Sequence, residues 1–164
     1  MHWLGQWGAV WAAAAWAVVV AVAGGVATRL GPWYDNLRKP SWQPPDWLFG
    51  PAWTAIFALT AASGVLAWWG TADGVQRWLT VGLFVVNGLL NFFWSVLFFT
   101  LRRPDWALVE VVPLWLSILA MMIAFAVFAP PASLLLLPYL AWVGFAAFLN
   151  RAVVRLNAPF HPVR

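Results

Sequence analysis

The sequence lacks cysteine altogether, and only 9% of its 164 residues are charged. The absence of cysteine excludes disulfide bridges and thiolate chemistry. Soluble domains carry charge on roughly a quarter of their residues. A chain of this length that is 64% hydrophobic cannot cover itself with polar surface in water. We therefore expect an integral membrane protein whose first partner is membrane lipid.

Chemistry-bearing clusters are also missing from the sequence. It contains no Ser/His/Asp set, no metal-ligand cluster and no phosphate-binding loop, so we predict no conventional enzyme, no metal site and no cofactor. The net charge is +4, but the basic residues form no stripe interleaved with polar groups. Nucleic-acid binding, which needs such a surface, is not expected.

Five long stretches of 20 to 24 residues are nearly free of charge. At 1.5 Å per residue, each helix would span about 30 Å or more, the thickness of the hydrocarbon core. We therefore predict an all-α bundle of five transmembrane helices in one domain, residues 1–164, with helices at about 7–28, 47–70, 78–101, 106–129 and 131–155. A cleaved signal peptide is the alternative for the first stretch. We favour a span there because no Lys or Arg precedes it and its apolar run is long.

The segment 29–46 is the longest connection and contains four prolines and three aromatic residues. Because proline breaks helices, we expect an ordered, non-helical loop between helices 1 and 2. Long connections in compact proteins are often functional.

Basic residues are distributed unevenly over the connections. Arg77 lies alone on one side, and eight of the nine basic residues lie on the other: Arg29, Arg38, Lys39, Arg102, Arg103, Arg151, Arg155 and Arg164. The positive-inside rule then places the long loop and the C-terminus in the cytoplasm and the N-terminus outside. The preference for Arg over Lys and the alanine-rich spans suggest a bacterial membrane.

Polar residues inside the third span form a stripe. Asn87, Asn91 and Ser95 recur every four residues and so share one helix face, with Trp94 beside them. Two interpretations remain open for this stripe. Its side chains either form hydrogen bonds between helices or anchor a ligand in a pocket.

Two tryptophans and one acid also lie within spans. Trp53 and Trp142 are too deep for an interfacial belt, and they either fill the core or form flat walls for a planar ligand. Glu110 is the only acid in its span. It either has a structural role, in which it reaches the interface or pairs with Arg102 or Arg103, or it has a functional role.

Prolines and caps predict the shape of individual helices. Asp105, which follows Pro104, is a predicted N-cap of the fourth helix. Pro51, Pro113 and Pro138 fall within helical segments, which we expect them to bend or open locally.

The segment WYDNLRKPSWQPPDWLFGPAW at residues 33–53 closely resembles the signature of the translocator protein family. This is the TspO/MBR group, also called tryptophan-rich sensory proteins or peripheral-type benzodiazepine receptors. The stretches LNFFWSVLFF at 90–99, DWALVEV at 105–111 and LPYLAWVGFAAFLN at 137–150 resemble further family blocks. The resemblance covers residues from about 30 to 157 and suggests a bacterial member.

This resemblance implies a five-helix bundle, often a homodimer, with a pocket under a loop that acts as a lid. It implies binding of protoporphyrin IX or another tetrapyrrole, of isoquinoline and benzodiazepine drugs and, in some members, of sterols. The implied role is a membrane receptor for porphyrins with a sensory or stress-regulatory output. Transport of tetrapyrroles or sterols, and light-dependent degradation of porphyrin, are the alternatives.

The candidate ligand-binding residues are Trp53, Asn87, Asn91, Trp94, Trp106, Tyr139, Trp142 and Ala146, and the candidate lid residues are Trp33, Tyr34, Arg38, Lys39 and Trp42. Trp53 and Trp142 match tryptophans that the resemblance implicates in light-dependent porphyrin breakdown. Arg38 and Lys39 are expected to meet the propionates of a porphyrin.

The chain departs from the family pattern at two places. Arg151 stands where the sterol motif of the fifth helix has Tyr, and such motifs are weak patterns even when intact. Ser95 and Val96 stand where some members carry two prolines, so we expect the third helix to be more regular here.

Overall fold

The computed structural model describes residues 2–28 and 30–160, with side chains from residue 7 onward. Arg29 and Arg164, which entered the charge count above, lie outside the described residues. Within the described ranges the elements are helical, and they are α1 (His2–Ala27), α2 (Pro32–Asp35), a 3₁₀ turn (Asp46–Leu48), α3 (Phe49–Gly70), α4 (Gly74–Ser95) with a π-helical extension (Val96–Thr100), α5 (Pro104–Phe128), α6 (Pro130–Leu135) and α7 (Leu137–Asn157).

Five helical segments are long and apolar enough to cross a bilayer. They are Trp7–Ala27, Asp46–Gly70, Gly74–Thr100, Pro104–Phe128 and Pro130–Asn157. The predicted all-α bundle with five spans is thereby confirmed. The fifth span consists of α6 and α7, which are joined at Leu136, a residue with right-handed helical backbone dihedrals.

The N-caps of α4 and α5 differ in one case from the prediction made from the sequence. Asp73 caps α4, since its side chain accepts a hydrogen bond of 2.8 Å from the Gln76 N–H. Asp105 was predicted to cap the fourth span, but the cap position belongs to Arg103 and Asp105 lies within the first turn of α5. There it pairs with the Arg103 guanidinium. A carboxylate in the first turn also interacts favourably with the helix dipole.

Only one of the three prolines predicted to bend helices lies in a helix interior, and this is Pro113 in α5. Pro51 is the third residue of α3, and Pro138 is the second residue of α7. The first turn of a helix has no intrahelical acceptor for its N–H groups, so a proline there removes no hydrogen bond. The prediction was therefore wrong for Pro51. The fifth span is interrupted at Leu136, two residues before Pro138, which agrees with the predicted local opening.

The third span is less regular than predicted. It is α-helical only as far as Ser95, after which residues Val96–Thr100 form a wider π-helical turn. The Leu101 N–H donates to the Val96 carbonyl at 2.8 Å, which is the five-residue spacing of a π-helix. Leu97 and Phe98 are buried in this turn, so the irregular segment is packed rather than frayed.

The long connection after α1 also differs from its prediction as wholly non-helical. It includes α2 and ends in the 3₁₀ turn at Asp46–Leu48. Pro32 opens α2 at a first-turn position, where its fixed φ suits the helix. The remaining prolines keep residues 36–45 extended or turned.

Packing is closest where α5 meets its neighbours. Ile118, Met121 and Phe125 of α5 and Ala132 of α6 have no accessible surface. Helices in lipid gain little from the hydrophobic effect, so close packing and interhelical hydrogen bonds hold them together. Ser63 of α3 donates such a bond to the Ala132 carbonyl at 2.7 Å.

One end of the bundle gathers the loop, the α4–α5 turn and the end of α7. Asn157 is hydrogen bonded to the Arg38 backbone, and Thr100 donates to the Ala27 carbonyl at 3.1 Å. The opposite end holds the α3–α4 turn with Arg77, where Gly70 lies against the Phe128 carbonyl. The basic side chains of the described residues are therefore concentrated at the loop end.

Replacing Gly88 with alanine should weaken the packing of α1 against α4. A Cβ at position 88 would lie 2.9 Å from Trp16 Nε1 and 3.1 Å from Val20 Cγ2. The Trp16 ring is fixed by its hydrogen bond to the Phe84 carbonyl at 2.9 Å. We expect Gly88→Ala to lower the free energy of unfolding by about 1–3 kcal/mol, as measured by thermal unfolding in detergent.

The control is Gly82→Ala on the same helix, where a Cβ meets no atom within 4 Å. Alanine is favoured over glycine in a helix by roughly 0.5–1 kcal/mol, so this variant should unfold at the same or a higher temperature. Equal destabilisation by both changes would contradict the close contact at Gly88.

Candidate functional site

A cavity of about 530 Å³ lies beneath the long loop, between α1, α3, α4 and α7. Loop residues Tyr34, Lys39 and Gln43 form its mouth. Its inner surface is mostly apolar and rich in aromatic rings. A cavity of this size and character is typical of sites for small hydrophobic molecules.

Tryptophan rings form the walls of the cavity. Trp53 stacks on Phe57 with ring centroids 5.2 Å apart. Trp142 packs edge-on against Phe49 at 5.7 Å. Both tryptophans border the cavity, as does Trp94 of α4. These contacts fix the rings before any ligand enters, so the walls are preformed flat surfaces.

A chain of buried hydrogen bonds lies behind one wall. Asn91 Nδ2 donates to the Tyr139 hydroxyl at 3.0 Å, and this hydroxyl donates to Asn87 Oδ1 at 3.2 Å. Asn87 Nδ2 then donates to Ser117 Oγ at 2.9 Å. The chain links α4, α5 and α7, which is the helix–helix interpretation of the polar stripe. Of the four side chains in this hydrogen-bonded chain, only that of Asn91 also lines the cavity.

The sequence-derived site residues fall into three groups. Those on the cavity surface are Trp53, Asn91, Trp94, Trp142, Ala146, Tyr34 and Lys39. Two more, Asn87 and Tyr139, are fully buried behind the wall. The others lie outside the cavity lining and are Trp106, Trp33, Arg38 and Trp42.

The residues outside the lining have their own partners. Trp106 is 59% exposed on the outer face of α5, with the Arg103 guanidinium 5.1 Å from its ring. Trp33 packs edge-on against Phe98, and Trp42 packs against Phe145. Arg38 has an exposed side chain. The expectation that Trp106 borders the pocket is therefore wrong for this structure.

The first helix lines the cavity, and reasoning from the sequence missed this contribution. Ala21, Gly24 and Gly25 face the open volume, where their small size leaves room for a ligand. The run of small residues on α1 was a signal, but small residues also serve helix packing. Gln43 and Asp46 at the mouth were missed as well, since nothing in the sequence distinguishes them from other loop polar residues.

Four polar side chains form a cluster at the mouth. The Asp46 carboxylate accepts hydrogen bonds from the Tyr34 hydroxyl and from Gln43 Nε2, each at 3.0 Å. Lys39 Nζ lies 3.4 Å from the same carboxylate and 3.7 Å from the centroid of the Tyr34 ring. Burial and the bond to Asp46 raise the pKa of Tyr34 to about 12, so its hydroxyl remains a donor at neutral pH.

The Asn157 amide at the end of α7 holds the loop over the cavity. Its Oδ1 accepts from the Arg38 backbone N–H at 2.8 Å, and its Nδ2 donates to the Arg38 carbonyl at 2.8 Å. A third bond of 2.8 Å to the Val153 carbonyl fixes the amide itself. The predicted lid is thus tied to the bundle through its backbone.

Glu110 does not pair as predicted. Its carboxylate is buried, and both oxygens lack a hydrogen-bond partner among the described residues. Arg103 pairs with Asp105 instead. Glu110 also lies outside the cavity lining, so no role in the site follows from its position.

The sequence model of the TspO/MBR family matches residues 10–156. The chain belongs to the TspO/MBR family. A tryptophan-rich protein TspO from Chlorobaculum tepidum is 46% identical over 127 residues, which are 76% of this chain and 79% of the relative. The translocator protein of Homo sapiens is 35% identical over 126 residues, 76% of this chain and 75% of the relative. A tryptophan-rich sensory protein from Cereibacter sphaeroides is 35% identical over 125 residues, 76% of this chain and 77% of the relative.

Membership and the five spans together make this chain a multi-pass integral membrane protein of a family of sensory and translocator proteins. The segment at residues 33–53, which resembles the family signature, forms the loop, the cavity mouth and the start of α3. The blocks at 90–99 and 137–150 form the end of α4 with its π-turn and the cavity-lining part of α7, whereas the block at 105–111 lies in α5, outside the lining. Residues of three of the four blocks therefore line one cavity.

Tyr139→Phe should destabilise the bundle because it removes the hydroxyl that joins the two buried asparagines. Asn87 and Asn91 would each lose a partner, and a buried polar group without a partner costs roughly 1–3 kcal/mol. We expect a lower unfolding temperature in detergent. Tyr34→Phe is the matched control, since its hydroxyl lies in the loop where water can replace it. Equal loss of stability in both variants would contradict a structural role for the buried chain.

Proposed function

We propose that this chain is a membrane receptor that binds planar tetrapyrroles, protoporphyrin IX among them, in the cavity beneath the loop. The observation that carries the proposal is the pair of tryptophan walls formed by Trp53 and Trp142 around an apolar volume of about 530 Å³. Family membership supports it, since the chain belongs with proteins named as sensory and translocator proteins.

The chemistry of a porphyrin matches this cavity. A porphyrin is a flat apolar disc with two carboxylates on one edge. Indole faces suit the disc, and the apolar depth of the cavity would hold it away from water. The polar mouth provides hydrogen-bond donors where the carboxylates would emerge. A receptor with such a site reports tetrapyrrole levels to its partners, which is the sensory output we propose.

Other flat apolar molecules fit the same walls. Isoquinoline and benzodiazepine compounds share the aromatic planes of a porphyrin but lack its carboxylates, so they would rely on the walls alone. Sterol binding has less support. Arg151, at the position of the motif tyrosine, is exposed and lies outside the cavity lining.

Trp53→Phe combined with Trp142→Phe should weaken binding by about tenfold, because phenylalanine offers a smaller ring face and no N–H. Quenching of tryptophan fluorescence by protoporphyrin IX in detergent, in the dark, measures the Kd. The control is Trp47→Phe combined with Trp106→Phe, two exposed tryptophans outside the lining, which should leave the Kd unchanged. Absence of saturable quenching in the unmodified protein would overturn the porphyrin proposal.

The same samples distinguish receptor from enzyme and transporter. Under illumination, a new absorbing product that is lost in the Trp53→Phe, Trp142→Phe variant would favour light-dependent degradation of porphyrin. Movement of porphyrin across reconstituted vesicles would favour transport. Saturable binding without product or flux is the outcome expected of a receptor.

The orientation in the membrane is a further part of the proposal. The loop end of the bundle carries Arg38, Lys39 and Arg102, whereas the opposite end carries Arg77. By the positive-inside rule the loop and the C-terminus face the cytoplasm of a bacterial cell and the N-terminus faces outward. A homodimer, which the resemblance implies, completes the proposed arrangement.

The absence of cysteine allows a clean test of this orientation. We expect Asp35→Cys in the loop to react with a membrane-impermeant maleimide only in inverted vesicles. Ala72→Cys, in the turn between α3 and α4, should react only in right-side-out vesicles. Both positions are exposed. The reverse pattern of labelling would show that the long loop faces outward.

A further inference from the structure

The polar cluster at the cavity mouth consists of three donors that converge on one carboxylate. Tyr34 and Gln43 donate to Asp46 Oδ1 at 3.0 Å each, and Lys39 Nζ lies 3.4 Å from Asp46 Oδ2. All four side chains line the cavity. The three donors come from the loop, whereas Asp46 begins the 3₁₀ turn that leads into α3.

Stability alone is a weak explanation for this arrangement. The side chains of Lys39 and Asp46 are 23% and 47% exposed, and an exposed ion pair contributes little to folding. The loop is fixed independently by the two hydrogen bonds between Asn157 and the Arg38 backbone. One ammonium with two neutral donors is instead the kind of set that recognises a carboxylate, which accepts through both of its oxygens.

We infer that Tyr34, Lys39 and Gln43 form a carboxylate-binding site at the mouth of the cavity, which Asp46 of the chain itself fills until a carboxylate of the bound ligand takes its place. This inference rests on the proposed function and names the part of the ligand that the mouth recognises. The loop end of the cavity thus selects for an acidic edge on a flat apolar molecule. Asp46 sets how strong that selection is.

The charge balance of the mouth explains the role of Asp46. Among the described residues that line the cavity, Lys39 is the only cation and Asp46 the only anion. With Asp46 in place the mouth is neutral, so a ligand carboxylate gains Lys39 only by displacing Asp46. The Asp46 side chain is 47% exposed, so a displaced Asp46 carboxylate can turn outward into water, which offsets the loss of its partners.

Arg38 is excluded from this role, although it was expected to meet the propionates together with Lys39. Its side chain is exposed and absent from the cavity lining, and only its backbone is engaged, by Asn157. Tyr34 and Gln43 take the place that the sequence suggested for Arg38. The Tyr34 hydroxyl suits this place, since it stays protonated over the neutral range.

The test compares protoporphyrin IX with its dimethyl ester, which has the same macrocycle without carboxylates. The Kd of each ligand is measured by fluorescence quenching in detergent, and the selectivity is the ratio of ester Kd to acid Kd. Asp46→Asn should raise this ratio by about fivefold, because it removes the competing charge with little change of shape. Lys39→Gln should lower the ratio by a similar factor.

Two neighbouring substitutions are the matched controls. Arg38→Gln removes a cation one residue from Lys39, and Asp35→Asn removes an anion from the same loop, and neither residue lines the cavity. Both should leave the ratio unchanged. An unchanged Kd for the ester in every variant shows that the fold and the tryptophan walls are intact.

The outcomes separate this inference from the proposed function. If both ligands bind saturably but the ratio does not change in Asp46→Asn and Lys39→Gln, the carboxylate site is overturned. The same holds if Arg38→Gln changes the ratio as much as Lys39→Gln does. In either case the porphyrin receptor remains supported. A lower ratio in Asp46→Asn overturns the site as well, because Asp46 would then assist rather than compete. Failure of both ligands to bind the unmodified protein overturns the proposed function, and the carboxylate site with it.

Discussion

The constraint on which this structure depends is the absence of water from the bilayer core. A polar group buried there is costly unless it finds a partner inside the protein. Among the described residues the Glu110 carboxylate is an exception. The chain Asn91–Tyr139–Asn87–Ser117 shows how this requirement organises the bundle, since it joins three helices through 3.0, 3.2 and 2.9 Å bonds. The same chain fixes the wall of the cavity. Tyr139 also packs edge-on against Trp53 at 6.0 Å, so the network that holds the helices orients a tryptophan of the site.

The constraint also decides where irregular backbone is found. Residues 36–45 form few backbone hydrogen bonds among themselves, such as the bond from the Gln43 N–H to the Pro40 carbonyl. They lie at the end of the bundle, where water and side chains provide the other partners. Asn157 supplies two of those partners to Arg38. The cavity mouth therefore forms where an apolar volume meets a polar loop. The proposed ligand, with an apolar body and an acidic edge, would have both of its requirements met at that boundary.

Different parts of the structure were predictable for different physical reasons. The five spans followed from composition, because each nearly uncharged stretch is long enough to cross the hydrocarbon core as a helix. The burial of Asn87 and Asn91 followed from the cost of exposing an amide to lipid, but the choice of Tyr139 as their shared partner depends on the register between α4 and α7. Trp106 and Trp142 are both tryptophans in apolar spans, yet Trp106 faces outward and Trp142 faces the cavity. Which face of α7 reaches the cavity, and which face of α5 turns toward lipid, is set by packing. The π-turn after Ser95 likewise carries no periodicity signal, since five residues are too few to show one.

The cavity persists because its walls pack against other parts of the protein rather than across it. Trp53 stacks on Phe57 and packs edge-on against the buried Tyr139, and Trp142 packs against Phe49, so each ring is held by its neighbours. On the facing side α1 presents Gly24 and Gly25, whose missing side chains cannot fill the gap. A fully packed bundle would gain dispersion contacts that this one gives up. The loop above the open volume is fixed to the bundle and carries hydrogen-bond donors. The dispersion contacts that the protein lacks there would be made by the proposed ligand, which stacks on the walls and is held at its acidic edge.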